Sequence, residues 1–144
     1  MDIEIRNLDN GEKPHVTIYT DEITEQIQEI INLCSKRKYT ILAEEDEKTI
    51  LLKASDVYMM QTEGTKAVIH TRSDTYISKE RLCNIEKELP SNFFRISKYT
   101  IVNLDYLKFV EPSFNGNMLL VMKNGSKDYI SRKYLSEFKK RMDI

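Results

Sequence analysis

The 144-residue sequence has no tryptophan, two cysteines, two histidines and no apolar run near the roughly 18 residues that span a bilayer. Cys34 and Cys83 are too few and too far apart for a disulfide framework or a zinc site. Cys34 falls on the apolar stripe of a predicted helix and Cys83 lies beside Leu82 in another, so both are expected to be core or near-core thiols. The first six residues alternate charged and β-branched side chains, which predicts a strand rather than a signal peptide. These absences favour a reduced, cytoplasmic protein.

Residues typical of catalysis are also scarce. His15 and His70 each lie in a predicted strand, and no serine or cysteine beside them completes a nucleophile–base pair. The acidic run at residues 44–47 is expected to be a solvated turn. The four glycines stand apart, so they cannot form a phosphate-binding loop. The sequence therefore predicts no enzyme, no cofactor, no metal and no small-molecule substrate.

The net charge of −1 conceals an asymmetry between the two halves of the chain. Residues 1–63 contain seven Lys and Arg against fourteen Asp and Glu, whereas residues 64–144 contain fifteen against nine. One interpretation is a polyanion-binding surface in the second half. The other is ordinary scatter of solvated charge, and composition alone does not choose between them.

Residues 1–38 are predicted to form a small β-β-α extension. Its strands are expected around residues 3–5 and 15–19, and its helix over residues 22–38, with acidic residues in the first turn and Lys36 to Lys38 in the last. The apolar residues of that helix form one stripe: Ile23, Ile27, Ile30, Ile31 and Cys34. The stripe either packs against the rest of the chain or forms a dimer contact.

Residues 39–144 read as a mostly β domain of short antiparallel strands separated by turns, which favours a sandwich or barrel. A helix capped by Ser78 and stopped by Pro90 interrupts the strands, and a short helix from Ser131 ends the chain. The predicted strands are Tyr39–Ala43, Thr49–Lys53, Val57–Gln61, Lys66–Thr71, Thr75–Ile77, Phe93–Ser97, Thr100–Asn103, Phe109–Pro112, Met118–Lys123 and Lys127–Ile130.

The most specific pattern lies between residues 93 and 134. An aromatic-Arg strand is followed by a polar, basic loop and an Ile-Val-Asn strand, in which Asn103 is placed to bind the backbone of a turn. Asn124-Gly125 predicts a two-residue hairpin turn. Arg132 and Lys133 begin the last helix, where cations oppose the helix dipole, so an anionic ligand would relieve them.

These features, in this order, resemble the LytTR (LytR/AlgR-type) DNA-binding domain family, over roughly residues 39–142. The resemblance implies elongated antiparallel β-sheets with short helices, which insert loops into successive DNA grooves. Family members are mostly bacterial transcription regulators that bind paired promoter repeats. The implied function is sequence-specific recognition of double-stranded DNA, with residues 39–144 as the DNA-binding domain.

The resemblance also implies roles for individual residues. The base-reading residues are Lys98, Arg132 and, in the loop after Gly64, Lys66 or its neighbour Thr65. The residues that contact the DNA backbone are Arg95, Ser97, Tyr99, Lys79 and Lys133.

The same resemblance bears on regulation and on partners. Residues 1–38 are too few for the receiver domain common in the family, so phosphorelay regulation is not expected. Stand-alone members imply a membrane-bound regulatory partner, and paired repeats imply a homodimer. Many relatives have histidine where Ser97 stands.

Two alternatives remain open. One is a β-rich protein–protein interaction module that binds no nucleic acid and uses its acidic front. The other is RNA binding, which is disfavoured because four phenylalanines that could stack on bases fall on buried-looking positions: Phe93, Phe94, Phe109 and Phe138.

Overall fold

The computed structural model describes residues 1–34 and 40–144, which belong to two compact units on either side of residues 35–39. The predicted boundary at residues 38 and 39 lies outside the described residues, as do the basic residues predicted for the last turn of the first helix. None of the described helices is long and apolar enough to cross a membrane.

The N-terminal unit contains one helix, α1 (Glu25–Cys34). The Oγ atom of Thr24 accepts a hydrogen bond from the Ile27 backbone N–H at 3.4 Å, so Thr24 acts as the N-cap. Ile27 is buried and Ile30 and Ile31 are partly buried, whereas Ile23 precedes the helix and is exposed. The helix therefore begins later than its apolar stripe predicts.

The two strands predicted in the N-terminal extension are wrong. Residues 1–24 contain no strand, and the side chains of Ile3 and Ile5 are 85 % and 90 % exposed. Alternation alone does not make a strand, because a strand also needs a partner ladder and an apolar layer beneath one face.

The mostly β character of the C-terminal unit is confirmed: every strand predicted from residue 39 onward is present, with bounds shifted by no more than two residues. The strands are β1 (Thr40–Glu45), β2 (Lys48–Lys53), β3 (Met59–Glu63), β4 (Lys66–His70), β5 (Thr75–Ser78), β6 (Phe93–Ser97), β7 (Thr100–Asn103), β8 (Leu107–Pro112), β9 (Met118–Met122) and β10 (Lys127–Ile130).

The strands form two open antiparallel sheets rather than a closed barrel. The seven-stranded sheet has the order β2-β1-β5-β4-β3-β7-β6, and the three-stranded sheet has the order β10-β9-β8. Burial alternates along the strands, as in β1, where Ile41 and Ala43 are buried and Leu42 between them is exposed. At β3 and β7 the seven-stranded sheet is buried on both faces, since the neighbouring residues Met59 and Met60, and Ile101 and Val102, are all buried.

Two apolar clusters hold the unit together. The first lies on the seven-stranded sheet and includes Leu82 and Ile85 of the short helix α2 (Leu82–Glu86). The second joins strands of both sheets to the last helix, α3 (Arg132–Met142), through Phe138. The strand-to-helix junction that begins α3 is thus fixed by a buried aromatic side chain.

The helix predicted to start at Ser78 begins later. Ser78 ends β5, and its Oγ atom donates a hydrogen bond to the Leu42 carbonyl at 2.7 Å, so this side chain joins two strands. Arg81 occupies the N-cap position of α2 without a side-chain cap. The predicted cap was wrong because a serine hydroxyl serves a neighbouring strand as readily as a helix end.

Asn103 binds the backbone as the sequence predicts. Its Oδ1 atom accepts from the Asp105 N–H at 3.1 Å, and its Nδ2 atom donates to the Val57 carbonyl at 2.9 Å. Asn92 donates a third hydrogen bond to the same Oδ1 atom at 2.9 Å. The side chain is 1 % exposed, so these bonds satisfy a fully buried amide.

A polar chain of hydrogen bonds connects the two sheets. The Asp128 carboxylate on β10 accepts from Gln61 at 3.2 Å and from Thr100 at 2.5 Å.

Because the Gln61 amide nitrogen donates to Asp128, its oxygen accepts from His70 Nε2 at 3.0 Å. This assigns the proton of neutral His70 to Nε2 and leaves Nδ1, 3.4 Å from the Thr75 hydroxyl, as an acceptor. Burial lowers the pKa of His70 from 6.5.

Stability is therefore expected to fall on mild acidification. Unfolded His70 takes up a proton near its ordinary pKa of about 6.5, whereas the folded protein binds it only at lower pH. The stability that neutral His70 contributes is fully present above the pKa of His70 in the unfolded chain. It is lost as the pH falls toward the lower pKa of His70 in the folded protein. Urea unfolding at about pH 7.5 and about pH 5.5, on either side of that ordinary pKa, measures the loss.

His70→Gln is the matched variant, because glutamine still donates to Gln61 and does not titrate. We expect the variant to lose less stability than the wild type over the same pH interval, while carboxylates that titrate in both proteins cancel. If the free energies of unfolding of the wild type and of His70→Gln change equally with pH, the fold does not favour the neutral imidazole of His70.

Candidate nucleic-acid interface

The turns that carry the predicted base-reading residues are linked by backbone hydrogen bonds. The Thr62 N–H, before the β3–β4 turn, donates to the Tyr99 carbonyl in the β6–β7 turn at 2.8 Å. The Ser131 N–H, at the start of α3, donates to the Ile96 carbonyl at the end of β6 at 2.9 Å. These bonds bring three separate segments to the same end of the strands, although residues 66, 98 and 132 are far apart in the sequence.

Two of these turns and the start of α2 form an open concavity of about 580 Å³. Four cationic side chains line it, and no aspartate or glutamate does. Glu86, which lies outside this lining, pairs with one of the four cations, so three positive charges without a salt bridge to any described carboxylate converge here, an arrangement that attracts a polyanion. The cations are Lys66, Arg81, Arg95 and Lys98.

Arg95 occupies this surface but is held by the protein itself. Its Nε atom donates to the Glu86 carboxylate at 2.8 Å, and its Nη1 atom donates to the Lys98 carbonyl at 2.7 Å. Its side chain is only 16 % exposed. Arg95 thus fixes the β6–β7 turn against α2, and its predicted role in contacting DNA phosphates stays a prediction.

The β6–β7 turn presents Lys98 and Tyr99 outward. Both residues are exposed, and the Lys98 ammonium lies 5.7 Å from the centre of the Tyr99 ring. The half-buried Ser97 accepts a hydrogen bond from the Tyr99 N–H at 3.1 Å, which closes the turn. A fixed turn with an exposed cation at its tip has the form that insertion into a DNA groove requires.

Arg132 lies outside the concavity, at the β10–α3 junction. Its Nε atom donates to the Asn115 carbonyl in the β8–β9 turn at 3.1 Å, and Nη2 donates to the same carbonyl. A guanidinium has five N–H donors, so donors remain for a ligand. The exposed Lys133 follows it, with its ammonium 5.4 Å from the Tyr134 ring.

Lys79 also lies outside the concavity, as do Ser97, Arg132 and Lys133. Its ammonium forms an exposed ion pair with Glu44 at 3.1 Å. Solvent-exposed pairs of this kind contribute little stability, so the ion pair leaves Lys79 available to a phosphate.

Sequence reasoning missed Arg81. The incorrect cap at Ser78 placed Arg81 inside a helix, whereas it actually precedes α2 and faces the concavity. The signal that could have found it is the positive balance of the second half of the chain.

Two further expectations were wrong. Cys34 and Cys83 are both exposed free thiols rather than core thiols. Phe109 is 42 % exposed, whereas Phe93 and Phe138 are buried as predicted. None of the four phenylalanines considered for RNA stacking lines the concavity.

Comparisons with known proteins agree with the fold. The family model described as the LytTr DNA-binding domain matches residues 47–143. A solved LytTr DNA-binding domain from Bacillus cereus superimposes with a TM-score of 0.68 at 25 % identity, covering 73 % of this chain and 97 % of that one.

Sequences that match this chain along most of their length occur in Staphylococcus aureus. An uncharacterized HTH-type transcriptional regulator of strain NCTC 8325 is 29 % identical over 137 residues, which cover 94 % of this chain and 93 % of the relative. Another, from strain MSSA476, is 30 % identical over 132 residues, or 90 % of each chain. Within residues 40–144 the two helices are separated by five strands, so these residues contain no helix-turn-helix.

The family match covers more than half of the sequence, and the fold and the order of its motifs agree with it. The chain belongs to the LytTr DNA-binding domain family.

Proposed function

We propose that this protein is a transcription regulator that recognises double-stranded promoter DNA through turns rather than through a recognition helix. The observation that carries the proposal is the concavity lined by four cations and no carboxylate, together with the exposed Arg132 at the β10–α3 junction. The regulators of S. aureus that it resembles support the regulatory role.

The contacts divide by chemistry. Arg132 suits base recognition, because a guanidinium pairs with O6 and N7 of guanine through two parallel hydrogen bonds. Lys98 and Lys66, each exposed at a turn, offer single ammonium groups to base edges less rigidly. Arg81 suits a phosphate contact, and the remaining predicted backbone contacts are Arg95, Ser97, Tyr99, Lys79 and Lys133.

The first experiment is selection of bound fragments from the protein's own genomic DNA, followed by gel-shift titration of the selected site. We expect specific binding that survives competition by unrelated duplex at about 0.15 M salt. Failure to bind any duplex under those conditions would favour the alternative of a protein-interaction module.

Removing Arg81 is expected to weaken binding to all DNA sequences equally. If Arg81 contacts one phosphate, Arg81→Ala should make the slope of log K against log salt shallower by about 0.9. Arg72→Ala is the matched control: it removes the same charge from the exposed β4–β5 turn, which lies at the other end of these strands. An equal change in both variants would mean that net charge, rather than this surface, binds DNA.

Two partner predictions follow from the family resemblance, which implies a homodimer on paired repeats and a membrane-bound regulatory partner. We expect two copies of the chain on one promoter fragment, a stoichiometry that sedimentation of the complex measures.

We also expect capture of a membrane protein by the tagged protein from native membranes. Recovery of none would count against a membrane-bound regulator.

A further inference from the structure

Phe114 is an apolar side chain placed where the proposed function puts DNA. It is 85 % exposed, in the turn that joins β8 and β9. The next residue, Asn115, supplies the carbonyl that binds the Arg132 guanidinium. In the three-stranded sheet Pro112 and Ile130 both pair with Met118, so the turn and the start of α3 share one end of the sheet.

The turn that holds Phe114 is fixed. The Ser113 N–H donates to the Asn117 carbonyl at 2.8 Å, and the Asn117 N–H donates back to the Phe114 carbonyl at 3.1 Å. Asn115 and Gly116 both have positive φ, 57° and 74°, which suits asparagine and glycine. Because the backbone of this turn is fixed and Arg132 binds to it, presenting the exposed ring of Phe114 to a ligand costs little backbone entropy.

The major groove offers one prominent apolar group to such a ring, the C5-methyl of thymine, while its other recognition atoms are hydrogen-bond donors and acceptors. We propose that Phe114 reads the methyl group of a thymine next to the guanine that Arg132 contacts. This inference rests on the proposed function, because it requires Arg132 to read a base. It adds an apolar contact to a surface that otherwise recognises DNA by charge and hydrogen bonding.

The test begins with selection of binding sites from random duplexes by the wild type and by Phe114→Ala. We expect both proteins to select the same guanine and only the wild type to select the neighbouring thymine. In gel-shift titrations, replacing that thymine with deoxyuridine removes only the methyl group. This change should weaken the wild type about fourfold, the factor that burial of one methyl-sized group supplies, and leave Phe114→Ala unaffected.

Leu51→Ala is the control for loss of exposed apolar surface. Leu51 is 68 % exposed on β2, the edge strand farthest from β6 in the seven-stranded sheet. It should retain the thymine preference. Thermal unfolding of each variant by circular dichroism confirms that both fold, as expected for exposed positions.

Three results would overturn the inference. If Phe114→Ala selects and binds the same sites as the wild type, with the same loss on deoxyuridine, the ring contacts no methyl group. A uniform loss of affinity with no deoxyuridine effect would indicate a sugar or stacking contact instead. If the wild type binds no duplex specifically, the proposed function itself fails, and this inference fails with it.

Discussion

Arg132→Ala is expected to weaken binding to the selected site by about 1–3 kcal/mol, roughly fivefold to 150-fold, and to reduce discrimination against a substituted guanine. The reason is the loss of two parallel hydrogen bonds that only a planar, five-donor cation supplies. Gel-shift titrations with the selected site and with a site changed at each guanine in turn identify the base that Arg132 reads.

Arg132 also binds the Asn115 carbonyl, so alanine removes a structural contact as well. Arg132→Lys separates the two roles because it keeps the charge and loses the planar pairing. We expect it to retain binding to unrelated DNA while discriminating poorly. Arg72→Ala, at an exposed turn elsewhere, should behave as the wild type at constant salt. Full discrimination by Arg132→Ala would assign base reading to another residue.

Phe138→Ala is expected to lower the free energy of unfolding by about 4 kcal/mol. The side chain is fully buried in the cluster that joins both sheets to α3, and its ring packs edge-on against Phe94 with centroids 5.8 Å apart. For a domain of about 100 residues this corresponds to a melting temperature lower by about 16 °C or more. Urea unfolding followed by circular dichroism measures the change.

Lys139→Ala is the matched control, because Lys139 lies next to Phe138 on the same helix with its side chain exposed. Its effect should stay within about 0.5 kcal/mol. A loss of no more than about 0.5 kcal/mol for Phe138→Ala, the size of a surface change, would mean that α3 contributes little to the core and that Arg132 is positioned by other contacts.

The ten strands could be predicted from the sequence because their apolar residues alternate against a core that exists. Asn103 was predicted for a related reason: a short amide after an apolar run can bind the turn that follows. The same alternation failed at Ile3 and Ile5, where no described strand or apolar layer is available to pair with it. The alternation of apolar residues indicates which face of a strand would be buried. It does not indicate whether another element packs on that face.

The site was less predictable because hydrogen bonds between distant residues build it. Nothing in the sequence near Arg95 shows that its guanidinium binds Glu86 and the Lys98 carbonyl. Arg81 was missed because Ser78 bonds to Leu42, which lies 36 positions away in the sequence and which local pattern does not connect to it. Which cations are tethered and which are exposed is decided by tertiary contacts alone.

The carboxylate of Asp128 helps to fix the distance between Arg132 and Lys98. It joins β10, which leads into Arg132, to Thr100, the first residue of β7 and only two positions after Lys98. Under the proposed function, this bridge and the Ser131–Ile96 backbone hydrogen bond set the step between two contacts along the duplex. The length of each half-site would then be a property of the packing between the sheets, and a regulator could acquire a new operator spacing without changing any residue that contacts DNA.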